Sequence, residues 1–299
     1  MSYRIKHNCT ICDSNKSNLF ISPDIIEDDP SKLYGAASGI QGAQTLVKCI
    51  DCSMIYESPR FPAEIIIKGY EQSNEENHDS QHSMRVKSFL NSLTKNKKNL
   101  PAPGSKVLDI GTAGGGFLEA ARKFGYDVFG LEPSADLVER GLKRNLNIRQ
   151  GTIENHNFEP HSFDLICLWD VIEHLPDPKQ ALIEIKKLLV PDGIILINYP
   201  DIGTWQAKIV GKKFWWIISV HLHHFTKKTI SDICSKVGLQ TFKFQRYWQT
   251  LEFGYLEYMA IHYNIPLAKT IRSLTPKFIQ KIPIPYYASQ TTVLVRLKK

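Results

Sequence analysis

The sequence predicts an α/β fold: a mostly parallel sheet of about seven strands covered by helices, preceded by a small cysteine module. Two observations lead to this prediction. After residue 103, strand-like and helix-like segments alternate and are joined by short turns, which is the pattern of βα units. Ahead of them, two C-x2-C pairs lie within the first 52 residues. A chain of 299 residues is long enough to contain both parts.

These patterns divide the chain into three regions. Residues 1–60 form the cysteine module, residues 61–103 a helical linker that ends near "NLPAPGS", and residues 104–299 the α/β domain. Strands of the domain are predicted at "KVLDI", "DVFGLE", "NIRQG", "FDLICLW", "GIILINYP", "LQTFKFQRYW" and "TTVLVRL", the last of them antiparallel. Helices are predicted at "GFLEAARKFG", "ADLVERGLKRN", "KQALIEIKKLLVPDG" and "TISDICSKVG". Two aromatic inserts, near 202–226 and 251–287, interrupt this alternation, and we expect them to cover a substrate pocket.

Composition is that of an ordinary soluble protein, with 42% hydrophobic residues. No run approaches the roughly 18 apolar residues of a membrane span, and the first residues have no apolar signal core, so we expect a cytoplasmic protein. The net charge of +7 permits an acidic partner without indicating one.

The first four cysteines have the spacing of paired metal-binding turns. Cys9 and Cys12 form one C-x2-C pair, and Cys49 and Cys52 form the other. In a reducing compartment such pairs grip zinc, and four thiolates make a closed structural site. We therefore predict structural Zn²⁺ here; a redox pair or four unrelated thiols are the alternatives.

The glycine-rich loop of "KVLDIGTAGGGFLEAARKFG" indicates a ligand at the end of the first strand of the domain. The P-loop pattern does not fit, because no Gly-Lys-Ser/Thr follows, and G-x-G-x-x-G fits in neither register. Asp109, just before the first glycine, would repel a pyrophosphate but attract a cation. S-adenosylmethionine carries an ammonium and a sulfonium and no phosphate. Glu132 ends the second strand, where a carboxylate can accept both ribose hydroxyls, a feature that would also suit NAD.

Several motifs together carry a resemblance to a known family. "VLDIGTAGGGFLEAA", "VFGLEPS" and "FDLICLWDVIEHLPDPKQALIEIKKLLVPDGIILINYPD" resemble the class I S-adenosylmethionine-dependent methyltransferases over about 100 residues. The resemblance implies a Rossmann-like fold and S-adenosylmethionine as cofactor. "MIYESPRFP" with the cysteine pairs is similar to the zinc-ribbon modules that precede this domain in some bacterial members. Ala113 departs from the family pattern, in which glycine is frequent at this position.

The resemblance also implies which residues bind the cofactor. The loop would line its methionine end, Glu132 its ribose, "GTIEN" its adenine, and the end of the fourth strand its sulfonium. The implied set is Asp109, Gly111, Thr112, Gly114, Gly115, Glu132, Ile153, Glu154, Asp170 and Val171. Thr152 stands where family members often have aspartate.

Histidines are the candidate proton acceptors for methyl transfer. His174 follows the fourth strand in "DVIEHLPDP", and "HLHHF" provides three more after the fifth strand, of which we favour His224. Each could instead be a packing residue with a local hydrogen bond. A catalytic metal is disfavoured, because the sequence places no carboxylate clearly beside the cluster.

The function predicted from these features is methyl transfer to a small molecule or a saccharide, with a lipid-linked acceptor and peripheral membrane contact left open by the aromatic inserts. The first alternative is an rRNA or tRNA methyltransferase that uses the zinc module to bind RNA. The acidic run "SPDIIEDDP" and the absence of an N/D-P-P-Y signature argue against this nucleic-acid partner. The second alternative is an inactive cofactor-binding interaction protein, against which the pairing of Asp109 with Glu132 argues. The sequence does not fix the oligomeric state.

Overall fold

The structure is a computed structural model that describes residues 3–34, 39–71, 81–262 and 266–298. The polar stretch 72–80 of the predicted linker therefore lies outside the described residues. The described residues form thirteen strands: β1 (Ser17–Ile21), β2 (Leu46–Cys49), β3 (Ile55–Glu57), β4 (Lys106–Ile110), β5 (Asp127–Glu132), β6 (Ile148–Gln150), β7 (Phe163–Trp169), β8 (Leu189–Pro200), β9 (His223–His224), β10 (Leu239–Arg246), β11 (Gln249–Glu252), β12 (Pro283–Tyr286) and β13 (Gln290–Leu297).

The described residues also form eleven α-helices. They are α1 (Pro30–Leu33), α2 (Ala63–Glu71), α3 (His82–Asn96), α4 (Gly116–Lys123), α5 (Ala135–Lys143), α6 (Pro178–Leu188), α7 (Trp205–Val210), α8 (Lys227–Lys236), α9 (Phe253–His262), α10 (Ala268–Leu274) and α11 (Lys277–Gln280). Two helix starts follow directly from local chemistry. Asp177 caps α6 by accepting hydrogen bonds from the backbone amides of Lys179 and Gln180, and Thr226 and Thr229 form a reciprocal capping box at α8.

A seven-stranded sheet in the order β10-β13-β8-β7-β4-β5-β6 forms the centre of the protein. Neighbouring strands among β4 to β8 are parallel, whereas β13 runs antiparallel to both β8 and β10. The seven-stranded, mostly parallel sheet with an antiparallel last strand is therefore confirmed. Strand β7 shows why: all its residues except Asp164 are buried, as expected for a central strand covered by helices on both faces.

The cysteine-bearing region forms a second sheet of four strands in the order β1-β2-β3-β9. Its last strand comes from the insert at 202–226, because Ile55 pairs with His224 and Tyr56 with His223. The Arg60 guanidinium reinforces this junction by donating to the backbone carbonyl of Pro176 at 2.7 Å. The predicted module at 1–60 is thus completed by a strand from the α/β domain and packs against that domain.

The region 61–103 contributes helices α2 and α3, of which α3 packs against α4 and β11. Among the residues that the structure describes, every helix is too short or too polar to traverse a lipid bilayer.

Candidate functional site

A cavity of about 500 Å³ opens at the carboxyl ends of the parallel strands. The glycine loop after β4, the end of β5 and the turn after β7 form one side of it. Helix α3 and residues of both inserts form the other side. This is the place where open α/β sheets bind ligands, and the volume suits a small molecule.

The loop after β4 brings backbone close to the turn after β7. Gly111 has a φ of +64°. A Cβ atom at this position would lie 2.7 Å from Cγ2 of Val171, so only glycine fits. Ala113 also has a left-handed φ, of +49°, and so adopts the conformation for which glycine is the usual residue.

Glu132 is held at the cavity wall by the backbone. The amide of Ala113 donates to Oε2 at 2.8 Å, and the amide of Ser134 donates to Oε1 at 2.9 Å. A carboxylate has about four acceptor positions, so these two hydrogen bonds use only half of its capacity. The carboxylate is fixed before any ligand arrives.

Asp109 lies on the same wall, with 2% of its surface exposed. Its Oδ1 atom has no hydrogen-bond partner among the described residues. Burial, with a smaller contribution from the charge of Glu132, raises the pKa of Asp109 to about 8. A buried carboxylate of this kind is stabilised by a cation, so the chemistry of this wall fits the ammonium group of S-adenosylmethionine.

Most of the other predicted cofactor residues also line the cavity: Thr112, Ile153, Glu154, Asp170 and Val171. Gly114 and Gly115 are not among the described residues that line it. The carbonyl of Gly114 accepts from Arg144, and a Cβ on Gly115 would collide with Leu146. These two glycines therefore pack against residues that follow α5 and do not face the cavity.

Asp170 is oriented by two amide side chains. Nδ2 of Asn198 donates to Oδ1 at 2.8 Å, and Nε2 of Gln290 donates to the same oxygen at 2.7 Å. Burial raises the pKa of Asp170 to about 6, and the two donors oppose that shift. Its φ of +55° turns the chain at the end of β7 and directs the following residues along the cavity.

Two histidines of the predicted motifs line the cavity, His174 and His221, with ring centroids 4.7 Å apart. Burial lowers the pKa of His174 well below its usual value and that of His221 to about 4, so both are neutral near pH 7. His224, which we favoured from the sequence, is buried in β9 and is not among the described residues of the wall. Its ring lies behind His221, with centroids 6.3 Å apart, and burial lowers its pKa to about 3.

The four N-terminal cysteines also lie together, away from this cavity. Their sulfur atoms are all within 4.8 Å of one another, with Sγ–Sγ distances of 3.3 Å for Cys9–Cys52 and 3.5 Å for Cys12–Cys49. All four are free thiols, and sulfur atoms around tetrahedral zinc lie roughly 3.8 Å apart for bonds of roughly 2.3 Å. The donor set and spacing fit a closed zinc site.

Comparison with known proteins points to the same cofactor chemistry as the cavity. The sequence matches the family described as "Methyltransferase domain" over residues 79–243, more than half of the chain. The chain belongs to this methyltransferase family. The resemblance of the α/β domain to class I methyltransferases and its Rossmann-like fold are thereby confirmed.

Individual relatives match over shorter parts. The chain is 30% identical over 145 residues to phosphoethanolamine N-methyltransferase 2 of Caenorhabditis elegans, covering 46% of this chain and 32% of the relative. It is 31% identical over 161 residues to the mitochondrial ubiquinone biosynthesis O-methyltransferase of Dictyostelium discoideum, covering 47% and 50%. The chain thus spans a third to a half of the length of these relatives. The YcgJ protein of Bacillus subtilis has the same fold, with a TM-score of 0.50 at 16% identity over 71% of this chain and 98% of that one.

Several residues of the methyltransferase cavity were not predicted from the sequence. Glu173 precedes His174 directly, and neither of its carboxylate oxygens has a hydrogen-bond partner among the described residues. Helix α3, predicted only as linker, contributes His82, Arg85 and Phe89 to the wall. The "DVIEHLPDP" motif contains Glu173, but the spacing alone does not show which side chains of a turn face inward.

Proposed function

We propose that this protein is an S-adenosylmethionine-dependent methyltransferase that acts on a small-molecule or saccharide acceptor. The observation that carries the proposal is Asp109, a buried carboxylate with an unpartnered oxygen, on the same wall as the pre-positioned Glu132. Family membership supports the reaction class. The two relatives named above, whose acceptors are small, support the acceptor class.

Eight of the ten cofactor residues predicted from the sequence line the cavity, all except Gly114 and Gly115. When bound, the cofactor supplies an electrophilic methyl group on a positively charged sulfur. Asp109 is placed to receive the ammonium group, and Glu132 to receive the ribose hydroxyls. Ile153 presents an apolar surface to the adenine, while Asp170 and Val171 border the side from which the acceptor enters. Binding in this orientation aligns the reacting groups, which is the main requirement of methyl transfer.

The acceptor half of the cavity is built from the linker and the inserts. Tyr70, Trp216, Tyr255, Met259 and Tyr286 line it together with His174. Aromatic and apolar walls with a few polar groups are typical of small-molecule sites. Of the two histidines proposed from the sequence as proton acceptors, His174 is the one that an acceptor in this cavity would contact.

The insert at 251–287 supports a further part of the proposal, peripheral contact with anionic lipid. Ile271, Leu274 and Phe278 of α10 and α11 are more than half exposed and lie close in sequence to the exposed Lys277 and Lys281. Apolar side chains with adjacent lysines are typical of interfacial helices. We expect sedimentation with phosphatidylglycerol vesicles and its loss in Leu274→Ser/Phe278→Ser, but not in the control Leu142→Ser. If Leu274→Ser/Phe278→Ser sediments with the vesicles as well as Leu142→Ser does, or if the wild type does not sediment with them, the proposed lipid contact is refuted.

We propose a structural Zn²⁺ at Cys9, Cys12, Cys49 and Cys52. The support is the convergence of the four thiols in one cluster, with Cys9 and Cys49 buried in the same core as Met54 and Phe225. Four thiolates leave no open coordination position, so the ion would stabilise the fold rather than react.

Ligand selectivity tests the cofactor assignment. Thermal unfolding should shift upward with S-adenosylmethionine or S-adenosylhomocysteine, by about 2.7 kcal/mol of added stability at 100 times the Kd. It should not shift with NADH or ATP at the same concentrations. Stabilisation by NADH instead would show that Glu132 serves a dinucleotide and would refute the proposal.

A further inference from the structure

Three side chains beside the acceptor half of the cavity converge on one point. One nitrogen from each of His174 and His221 and one carboxylate oxygen of Glu173 lie within 4.8 Å of one another. Glu173 comes from the turn after β7, and His221 from the insert that also forms β9. From the sequence we expected no carboxylate beside the histidine cluster, but the fold brings Glu173 to it.

The hydrogen bonds of the two histidines fix which nitrogen is available. Nδ1 of His221 lies 2.8 Å from the carbonyl oxygen of Trp216, and Nδ1 of His174 lies 3.0 Å from that of Val220. A carbonyl oxygen only accepts, so Nδ1 of His221 carries the proton and donates it. Nδ1 of His174 also lies 2.8 Å from the hydroxyl of Tyr70, which can donate or accept. Nε2 of His221 therefore keeps its lone pair, and Nε2 of His174 keeps its own in the tautomer that donates to Val220, the arrangement in which metal-binding histidines are usually held.

Glu173 requires a partner that the described residues do not provide. It is 1% exposed, and both carboxylate oxygens are without hydrogen bonds. Nε2 of His174 lies 4.0 Å from Oε1, which is too far for a hydrogen bond. Protonation would remove the charge but would leave a buried hydroxyl and a buried carbonyl oxygen equally unpaired. A cation bound between the carboxylate and the two lone pairs would satisfy all three groups at once.

We propose that Glu173, His174 and His221 bind a divalent transition-metal ion, with Zn²⁺ as the favoured ion. Two imidazoles and one carboxylate form the ligand set of many catalytic zinc sites, which leave a further position open. In such a site the metal–ligand bonds are roughly 2.0–2.1 Å long, so the ligand atoms lie roughly 3.3 Å from one another. The three ligand atoms lie within 4.8 Å of one another here, so metal binding requires each pair to approach by at most about 1.5 Å. All three residues line the cavity, so the open position faces its interior.

The open position gives the ion a task that rests on the proposed function. It would hold an oxygen atom of the acceptor beside Asp170 and Val171 and favour its deprotonated form, the proton passing to water. This implies an acceptor with a hydroxyl or enolisable carbonyl group.

The test measures metal binding directly, with protein that carries no histidine tag and holds one zinc per chain at the cysteine site. Titration with Co²⁺ should add one ion per chain whose visible spectrum lacks the intense thiolate charge-transfer bands of a cysteine site. Glu173→Gln and His221→Asn should each weaken this binding by about 100-fold or more, since losing even outer-shell partners costs about 10–100-fold.

Matched controls separate loss of a ligand from general effects. Glu139→Gln removes an exposed carboxylate, and His161→Asn removes a histidine outside the cavity whose φ of +52° asparagine tolerates. Both should bind Co²⁺ as the wild type does. If one cavity variant does not fold, the wild-type titration and the other variant still decide the question.

Binding of S-adenosylhomocysteine, followed in the same samples by calorimetry, separates the two proposals. Absence of a second ion in a wild type that binds S-adenosylhomocysteine would overturn the metal site and leave the proposed function intact. A second ion that both cavity variants retain would also overturn the assignment of its ligands. A second ion lost in those variants, in a protein that binds no S-adenosylhomocysteine, would support the site and refute the proposed cofactor.

Discussion

Replacing Asp109 with asparagine removes one charge from the cofactor wall and hardly changes its shape. At pH 8 the loss should be that of a hydrogen bond to a charged group, about 2–3 kcal/mol, or a Kd about 30- to 150-fold higher for S-adenosylmethionine. The magnitude also depends on pH. Only the ionised carboxylate pairs with an ammonium group, and burial raises the pKa of Asp109 to about 8.

The sign of this pH dependence follows from the ionisation. At pH 8 about half of the Asp109 carboxylates are ionised, and at pH 6, two units below that pKa, about one in a hundred, so the wild-type affinity should be up to about 50-fold lower at pH 6 than at pH 8. The asparagine variant has no such group. The gap between wild type and variant should therefore be large at pH 8 and narrow to a few-fold at pH 6.

Calorimetric titrations at pH 6, 7 and 8 measure both effects, and the exposed Asp127→Asn serves as control. The ligand's own amino group titrates near pH 8, but it does so equally for both proteins and drops out of their difference. The melting temperature of Asp109→Asn should not fall, because the variant loses a buried carboxylate. An equal Kd for wild type and variant, with the same pH slope, would refute the assignment of Asp109.

Two further predictions concern the scaffold. Gly111→Ala should destabilise the fold by about 2–4 kcal/mol and weaken S-adenosylmethionine binding, because strain at φ +64° adds to the collision with Val171. Gly104→Ala, at φ +91° with open space around it, should lose only about 1–2 kcal/mol; equal losses in urea unfolding would show that the close approach is unimportant. Removing zinc from the cysteine site with a chelator should lower the melting temperature. It should release about one Zn²⁺ ion per chain from that site. Because β3 pairs with β9, it should also perturb the fluorescence of Trp216 near the cavity, and an unchanged melting curve would argue against a structural ion.

The parts of the site that the sequence could predict depend on local position in a βα unit. Asp109 is the penultimate residue of β4 and Glu132 the last residue of the parallel strand β5, so their presence at one edge of the sheet follows from strand order alone. The need for glycine at 111 follows from the turn that the chain makes there. The central strands β7 and β8 could be predicted because each contains a nearly continuous apolar run, and β10 and β13 because apolar and polar residues alternate along parts of them.

The parts that could not be predicted depend on contacts between distant segments. Strand β9 has only two residues, and it forms because its backbone meets Ile55 and Tyr56, far away in the chain. That pairing buries His224 and leaves His221 on the cavity wall. The spacing of the three histidines in "HLHHF" does not show which of them faces the cavity. Glu173 was likewise visible in the sequence, but only the folded turn shows that its carboxylate is buried without a partner.

The proposed function can be tested by following the methyl group itself. Purified protein is incubated with methyl-labelled S-adenosylmethionine and an extract of cells that lack this protein, and the extract is then separated into metabolite, glycan, lipid, nucleic-acid and protein fractions. The proposed function predicts label in the metabolite, glycan or lipid fraction, and much less of it with Asp109→Asn. Label confined to nuclease-sensitive material, or no transfer by a protein that binds the cofactor, would contradict it.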